Sequence, residues 1–351
     1  MDNPTDADSK AFKFMPARVS EIPKQSDIET RLRNFYMKLT NTKFSKDVPI
    51  TKSMKIGEIA RRHHRAAAER NGLGHLEFSA LQRIVGVPSN VPLSPPLSEA
   101  RADEIGARLE EEMPWMNVAN ERVWKDMRLA AARGDAGFRT PNMIIAGPPG
   151  VGKSHWVRLF AELVQVPVCG FDATSSPSGQ AIVGTQRGWG TSAPGRLVDT
   201  IFANEIANPI MLIDEIDKAG QSSSSAGTNH SMCDTLLPFL ERMTAQSWTC
   251  PFFQVTMDMS WVSWVMTAND LSQLSGPLLN RVPPIEVTYP SPAHLRGFIN
   301  RQAQLLGLPQ EAVNAIHEAI EGAGPHSKTS LRTVKRMLDR ADQILSAPML
   351  H

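Results

Sequence analysis

Residues 147–154, GPPGVGKS, have the types and the spacing to hold a phosphate chain. Glycines at 147, 150 and 152 omit the Cβ atoms that would keep a backbone from wrapping an anion, so successive N–H groups and a helix N-terminus can face it. Lys153 supplies a point charge suited to β- and γ-phosphates, and the Ser154 hydroxyl suits Mg²⁺. Pro148, Pro149, Gly150, Val151, Gly152, Lys153, Ser154 and the adjoining His155 are therefore the candidate nucleotide-binding set. A second group closes the apolar run PIMLIDEID, residues 209–217. Asp214 there can hold Mg²⁺ through water, and Glu215 can orient and polarise an attacking water. A third, WVMTAND, residues 264–270, carries Thr267 and Asn269. An amide can donate to a phosphate and accept from a water at once, although asparagine also opens ordinary turns. Together these residues suggest hydrolysis of a nucleoside triphosphate.

Such groups converge only if strands and helices deliver them to one edge. Met143 to Ala146 is an apolar, strand-like run before the glycine-rich loop, and His155 to Val164 is amphipathic with helical period. Further strand-like runs are Val166 to Phe171, Pro209 to Asp214, Trp261 to Thr267 and Ile285 to Val287, with helical patterns between several of them. Alternating strands and helices imply a mostly parallel sheet with helices on both faces, and ligands bind such sheets at the strands' carboxyl ends. From Pro292 onward the patterns are helical, which predicts a separate small lid. Upstream, the polar stretch 1–25 reads as a flexible arm. Ser26 to Glu29 has capping-box spacing before a helix, and another helical pattern covers Ile56 to Arg70. The four prolines of Val87 to Pro96 predict a linker, followed by helices from about Ser98 to Glu112 and Glu121 to Arg133. The expected division is an arm at 1–25, a helical N-terminal region with linker at 26–96, an α/β nucleotide-binding domain at 97–290 and a helical lid at 291–351.

The bulk composition sets bounds. The 351 residues are 41% hydrophobic and carry a formal charge of +1, which argues against a wholesale binder of nucleic acid or anionic membrane. The local cluster Arg61, Arg62, His63, His64, Arg65 could touch a nucleic acid or an acidic partner, but charge runs more often form a solvated helix face. Cys169, Cys233 and Cys250 are too dispersed for a zinc site and too few for a disulfide framework. With an acidic N-terminus and no apolar run of membrane-span length, the sequence reads as soluble, cytoplasmic and without membrane contact.

Six blocks in order resemble the AAA+ ATPase module, and more narrowly that of the Lon protease family. They are GPPGVGKS, IVGTQRGWGTSAPGRL (182–197), LIDEIDK (212–218), DMSWVSWVMTAN (258–269), GPLLNRV (276–282) and SLRTVKRML (330–338). The resemblance covers roughly residues 110 to 345 and implies a P-loop NTPase sheet sandwiched by helices, a helical lid and a mostly helical N-terminal region. It implies Mg²⁺ and ATP as ligands, Lys153 and Ser154 as Walker A, Asp214 and Glu215 as Walker B, and Asn269 as sensor 1. Arg281 falls at the family's arginine finger, which reaches a neighbouring subunit's γ-phosphate, and Arg332 at sensor 2 in the lid. Guanidinium suits both because it stays charged and forks onto phosphate oxygens. The implied partners are further copies in a ring, hexameric, and a protein substrate gripped by Trp189 at the pore loop. Gly188 and Gly190 flank that Trp, where Lon has an aromatic, an aliphatic and then a glycine. A second axial loop would fall on the serine-rich stretch 221–231. The chain reaches its last residue directly after the lid, so no peptide cleavage of its own is expected. The expected function is remodelling or unfolding of a protein partner. Its rivals are a nucleic-acid-associated ATPase and a nucleotide-gated scaffold or sensor.

Overall fold

The computed structural model describes residues 12–175, 179–187, 192–219, 232–322 and 329–346. The chain opens with α1 (Ala17–Ser20), α2 (Gln25–Thr40), α3 (Ile50–Arg70) and α4 (Phe78–Gly86), then α5 (Glu99–Glu112) and α6 (Asn117–Arg133). The sheet begins at β1 (Met143–Ala146), followed by α7 (Lys153–Val164), β2 (Val168–Asp172), α8 (Gln180–Val183), α9 (Arg196–Asn204) and β3 (Ile210–Asp214). Next come α10 (Met232–Leu240), α11 (Arg242–Gln246), the short pair β4 (Trp248–Thr249) and β5 (Thr256–Met257), and β6 (Ser263–Ala268). The chain continues through α12 (Gly276–Arg281) and β7 (Pro284–Glu286) to α13 (Pro292–Leu306), α14 (Gln310–Gly322) and α15 (Leu331–Ser346).

Five strands form a sheet in the order β2-β3-β6-β1-β7, every pairing parallel. β1 and β6 are buried along their whole length, as strands covered on both faces must be. Because side chains alternate, β1, β3 and β6 each feed two cores. Ile144, Met211, Ile213, Trp264 and Met266 enter one core with α8 to α12 and residues of α3 and α4. Met143, Ile145, Ile210, Leu212 and Val265 enter the other with α5, α6, α7 and the three C-terminal helices.

The fold is as expected, but the expected divisions of the chain differ from what the structure shows. Phe14, Met15, Val19 and Ile22 are buried, and the Phe14 and Met15 amides both donate to the Ser89 carbonyl, so the arm expected up to residue 25 is folded at least from residue 14. The proline-rich stretch is also part of the structure. Asn208, fully buried, accepts from the Ser94 amide at 2.8 Å and donates to the Phe138 carbonyl at 2.7 Å. Prolines stop regular elements there without stopping burial, because one buried amide satisfies the backbone that no ladder reaches. Nor is the lid hydrophobically separate: Leu295, Ile299, Leu331 and Val334 share a core with Trp115, Met116 and Val151.

Local details differ too. The capping box at Ser26 is not formed. α2 starts at Gln25, whose amide Nε2 donates to Glu29 Oε1 at 2.6 Å, while Ser26 Oγ turns to Asp27. A capping box forms instead at Ser291 and His294, opening α13. α3 begins at Ile50, six residues earlier than its apolar pattern suggests, and α4 and the β4–β5 pair carry too short a period to be read from sequence.

Candidate functional site

β1 ends at Ala146 and the chain turns through the glycine-rich loop into α7, whose first residue is Lys153. Gly150 and Gly152 adopt φ of +79° and +95°, a backbone region costly to other residues. At Gly147 the constraint is space: a Cβ there would lie 2.4 Å from the Val287 carbonyl oxygen. The loop is braced from two sides. Trp115 Nε1 donates to the Val151 carbonyl at 2.9 Å, and the Leu331 amide, at the start of α15, donates to the Gly150 carbonyl at 2.9 Å.

Above the loop lies a cavity of about 410 Å³, at the carboxyl ends of β1, β3 and β6. Pro149, Gly150, Gly152, Lys153, Ser154 and His155 line it from the loop and α7, and Asp214, Glu215, Thr267 and Asn269 from the ends of β3 and β6. The C-terminal helices close the far wall with Phe298, Gln302, Leu331, Arg332 and Lys335. The volume is in the range of small-molecule sites. Of the nucleotide-binding set, Val151 is buried in the core and Pro148 contributes its carbonyl rather than a wall.

The polar groups are tightly tied. Lys153 Nζ donates to the Gly147 carbonyl at 2.6 Å, to the Pro148 carbonyl at 3.0 Å and to Asn269 Oδ1 at 2.9 Å, so Lys153 and Asn269 meet directly. Burial pushes the Lys153 ammonium below the usual lysine range, opposed by the charges of Asp217, Asp214 and Glu215. Burial, together with the cations of Lys335 and Arg158, likewise lowers His155. Ser154 Oγ donates to Asp214 Oδ1 at 2.6 Å. These are hard oxygen donors side by side at the cavity wall, a pair that fits Mg²⁺, which takes one or two protein oxygens and fills its octahedron with phosphate and water.

Two residues of the site carry roles that the motifs alone do not reveal. Thr267, almost fully buried, donates its hydroxyl to Asp214 Oδ1 and accepts from the Glu215 amide at 3.0 Å. It thereby holds Glu215 in a left-handed turn, φ +54°, that swings the chain away from β3 just where the acid must face the cavity. Asp217, also buried, accepts from the Asp270 amide at 3.3 Å, and it heads the charges that hold the Lys153 proton. The signal for Thr267 was present in the sequence: a hydroxyl two residues before an amide at the end of an otherwise apolar strand.

The remaining candidates are elsewhere. Arg332 lines the cavity, whereas Arg281, at the end of α12, does not. Arg281 instead donates from Nε to Glu241 Oε1 at 2.6 Å and from Nη1 to the Pro277 carbonyl at 3.3 Å. Trp189 and the serine-rich stretch 221–231 lie outside the described residues. The basic cluster of α3 is divided. Arg61, Arg62 and His63 face solvent, His64 is buried with Nδ1 2.8 Å from the Pro23 carbonyl, and Arg65 clamps the carbonyls of Gly74 and Leu76. Among the described residues no group of three or more His, Cys, Asp or Glu is placed to hold a metal, and no helix is long and apolar enough to cross a membrane.

Residues 143–288 match the ATPase family associated with various cellular activities (AAA). Similar curated proteins include Lon protease 4 of Sorangium cellulosum (strain So ce56), 30% identical over 186 residues, which are 53% of this chain and 22% of that protein. The mitochondrial Lon protease homolog of Candida albicans is 27% identical over 252 residues, 70% of this chain and 22% of that protein. The Lon protease of Magnetococcus marinus is 25% identical over 329 residues, 85% of this chain and 39% of that protein. The chain thus spans well under half the length of the curated relatives it matches.

Proposed function

We propose that this chain, whose residues 143–288 match the AAA ATPase family and which is similar to Lon proteases, hydrolyses Mg·ATP within a ring of identical subunits, of six, to remodel or unfold a protein partner in the cytoplasm. The observation that carries the reading is the convergence of Lys153, Asp214, Glu215, Asn269 and Arg332 on one cavity at the sheet's carboxyl edge. Backbone N–H groups of the loop and the N-terminus of α7 receive the β- and γ-phosphates, with Lys153 exchanging carbonyl partners for phosphate oxygens. Ser154 and Asp214 would hold Mg²⁺, which supplies neutralising charge to the phosphates when bound. Glu215 takes a proton from the attacking water as its oxygen bonds to the γ-phosphorus and the bond to the β-phosphate oxygen breaks. Asn269 orients that water and the γ-phosphate, and Arg332 reads the γ-phosphate from the lid, coupling nucleotide state to lid position. Arg281 completes the neighbouring subunit's site, and Trp189 contacts the threaded polypeptide.

The test is phosphate release by the purified chain, paired with calorimetry using a nonhydrolysable ATP analogue. Glu215→Gln should bind the analogue as the parent does and release phosphate at least about 10²-fold more slowly. Lys153→Ala should lose analogue binding. Unchanged turnover in Glu215→Gln removes that residue as the base, and an analogue that never binds the parent chain removes the whole reading.

A further inference from the structure

α2 and α3 form an antiparallel hairpin that leaves several of its large apolar side chains in water. α2 has no buried residue at all. Around the hairpin's far end, Leu39 is 70% exposed, Ile50 79% and Met54 71%, and Phe35 and Phe44 are also exposed. The end is nevertheless well built. Asn41 closes α2 in a left-handed turn, Val48 is buried, and Arg33 donates to Ser45 Oγ at 3.2 Å and Ser53 Oγ at 3.0 Å, stapling α2 to the connection and to α3. The exposed apolar groups are therefore presented on an ordered support. Charge is concentrated there as well: residues 30–62 hold nine Lys and Arg against two Asp and Glu, in a chain whose total is nearly balanced. Lys38, Lys43, Lys46, Lys52 and Lys55 are all exposed and, among the described residues, have no acidic partner in an ion pair, and Lys46 lies over the Phe44 ring at 5.6 Å.

We propose that this hairpin is a docking arm for acidic, amphipathic segments of protein partners. The apolar side chains supply the area and the lysines the charge complement, and Met54 adapts to varied partners because its unbranched thioether packs without demanding a fixed shape. The arrangement of the cations separates this partner from two others. On α2, Arg31 and Lys38 stand one turn either side of Phe35, and on α3, Lys55 stands one turn before Ile59. Cations one turn from exposed apolar side chains match a partner that alternates acids with apolar residues. A bilayer surface calls for a single apolar face, whereas Ile59, five residues after Met54, stands on nearly the opposite side of α3, and a nucleic-acid backbone calls for cations without exposed Leu, Ile and Met between them. The arm supplies the partner class for the remodelling activity proposed above and rests on that reading for its purpose, while the binding itself requires no nucleotide.

The experiment uses the whole chain and fluorescence anisotropy with a labelled synthetic peptide in which Leu and Phe recur at helical spacing among Asp and Glu. Saturable binding is expected, weakening as salt rises. The combined charge reversal Lys38→Glu, Lys43→Glu, Lys52→Glu should weaken it about tenfold or more, as should the combined Leu39→Ser, Met54→Ser. Melting temperatures should match the parent's, since every altered side chain faces solvent. The same peptide with Lys in place of each acid should not bind. The proposal is overturned if either combined variant binds like the parent, if the lysine peptide binds equally well, or if phosphatidylserine vesicles or a mixed-sequence oligonucleotide bind more tightly than the acidic peptide. Repeating the assay on Lys153→Ala keeps the two readings apart. Peptide binding without any ATP binding by the parent sinks the hydrolytic reading alone, and ATP turnover without peptide binding sinks the arm alone.

Discussion

At the scale of single residues, the site depends on one hydroxyl as well as on its charges. Thr267 serves Asp214 through its hydrogen and Glu215 through its oxygen, so it fixes the proposed Mg²⁺ ligand and the proposed base relative to one another. Thr267→Val keeps the shape and removes both bonds. Turnover should then fall about 10²-fold, the size expected when a reacting group is misplaced by about an ångström, while affinity for a nonhydrolysable analogue changes little. Thr267→Ser, which keeps the oxygen, should recover most of the rate. Equal rates for Val and parent, or equal losses for Val and Ser, would remove the positioning role. This residue was legible as part of the strand end but not as a support, because its two partners are the last residue of β3 and the one after it, more than fifty positions away.

At the scale of elements, buried amides join segments that sequence patterns separate. Asn208 precedes β3 and holds both the proline-rich stretch and the approach to β1. Asn208→Ala leaves the Ser94 amide and the Phe138 carbonyl without partners, at a cost of about 1–3 kcal/mol for each. Chemical denaturation should show that loss, whereas Asn34→Ala on the exposed face of α2 should stay within about 0.5 kcal/mol of the parent. A matching loss at both positions would refute the bracing role. The strands themselves were readable because fully buried parallel strands are short apolar runs bounded by turns. α4 and the β4–β5 pair were not, since nine and two residues carry too little period to stand out from their surroundings.

At the scale of the whole molecule, the cavity holds an arginine from its own lid, Arg332, but not Arg281. If Arg281 serves a neighbouring copy, its pair with Glu241 must open on assembly. Arg281→Ala should then bind nucleotide normally and turn over about 10³-fold more slowly. Mixed with Glu215→Gln, which keeps the arginine and lacks the base, it should regain activity, because some interfaces then combine an intact base with an intact finger. Two inactive variants that stay inactive when mixed, although they co-assemble by native mass measurement, would place the arginine's role within its own chain.

Local chemistry was readable from the chain alone: a glycine-rich loop of the phosphate-binding pattern, two acids and an amide at strand ends, and the order of strands and helices that brings them together. Such features follow from residue type and short-range period, which neighbours along the chain establish. It took the folded molecule to show that the proline-rich stretch is built into the core, that the C-terminal helices share a core with Trp115, and that Thr267 and Asp217 support the charges. The fold also sets which apolar residues of α2 and α3 remain in water. Burial and pairing are set by what each side chain meets across the fold, and no spacing along the chain encodes that meeting.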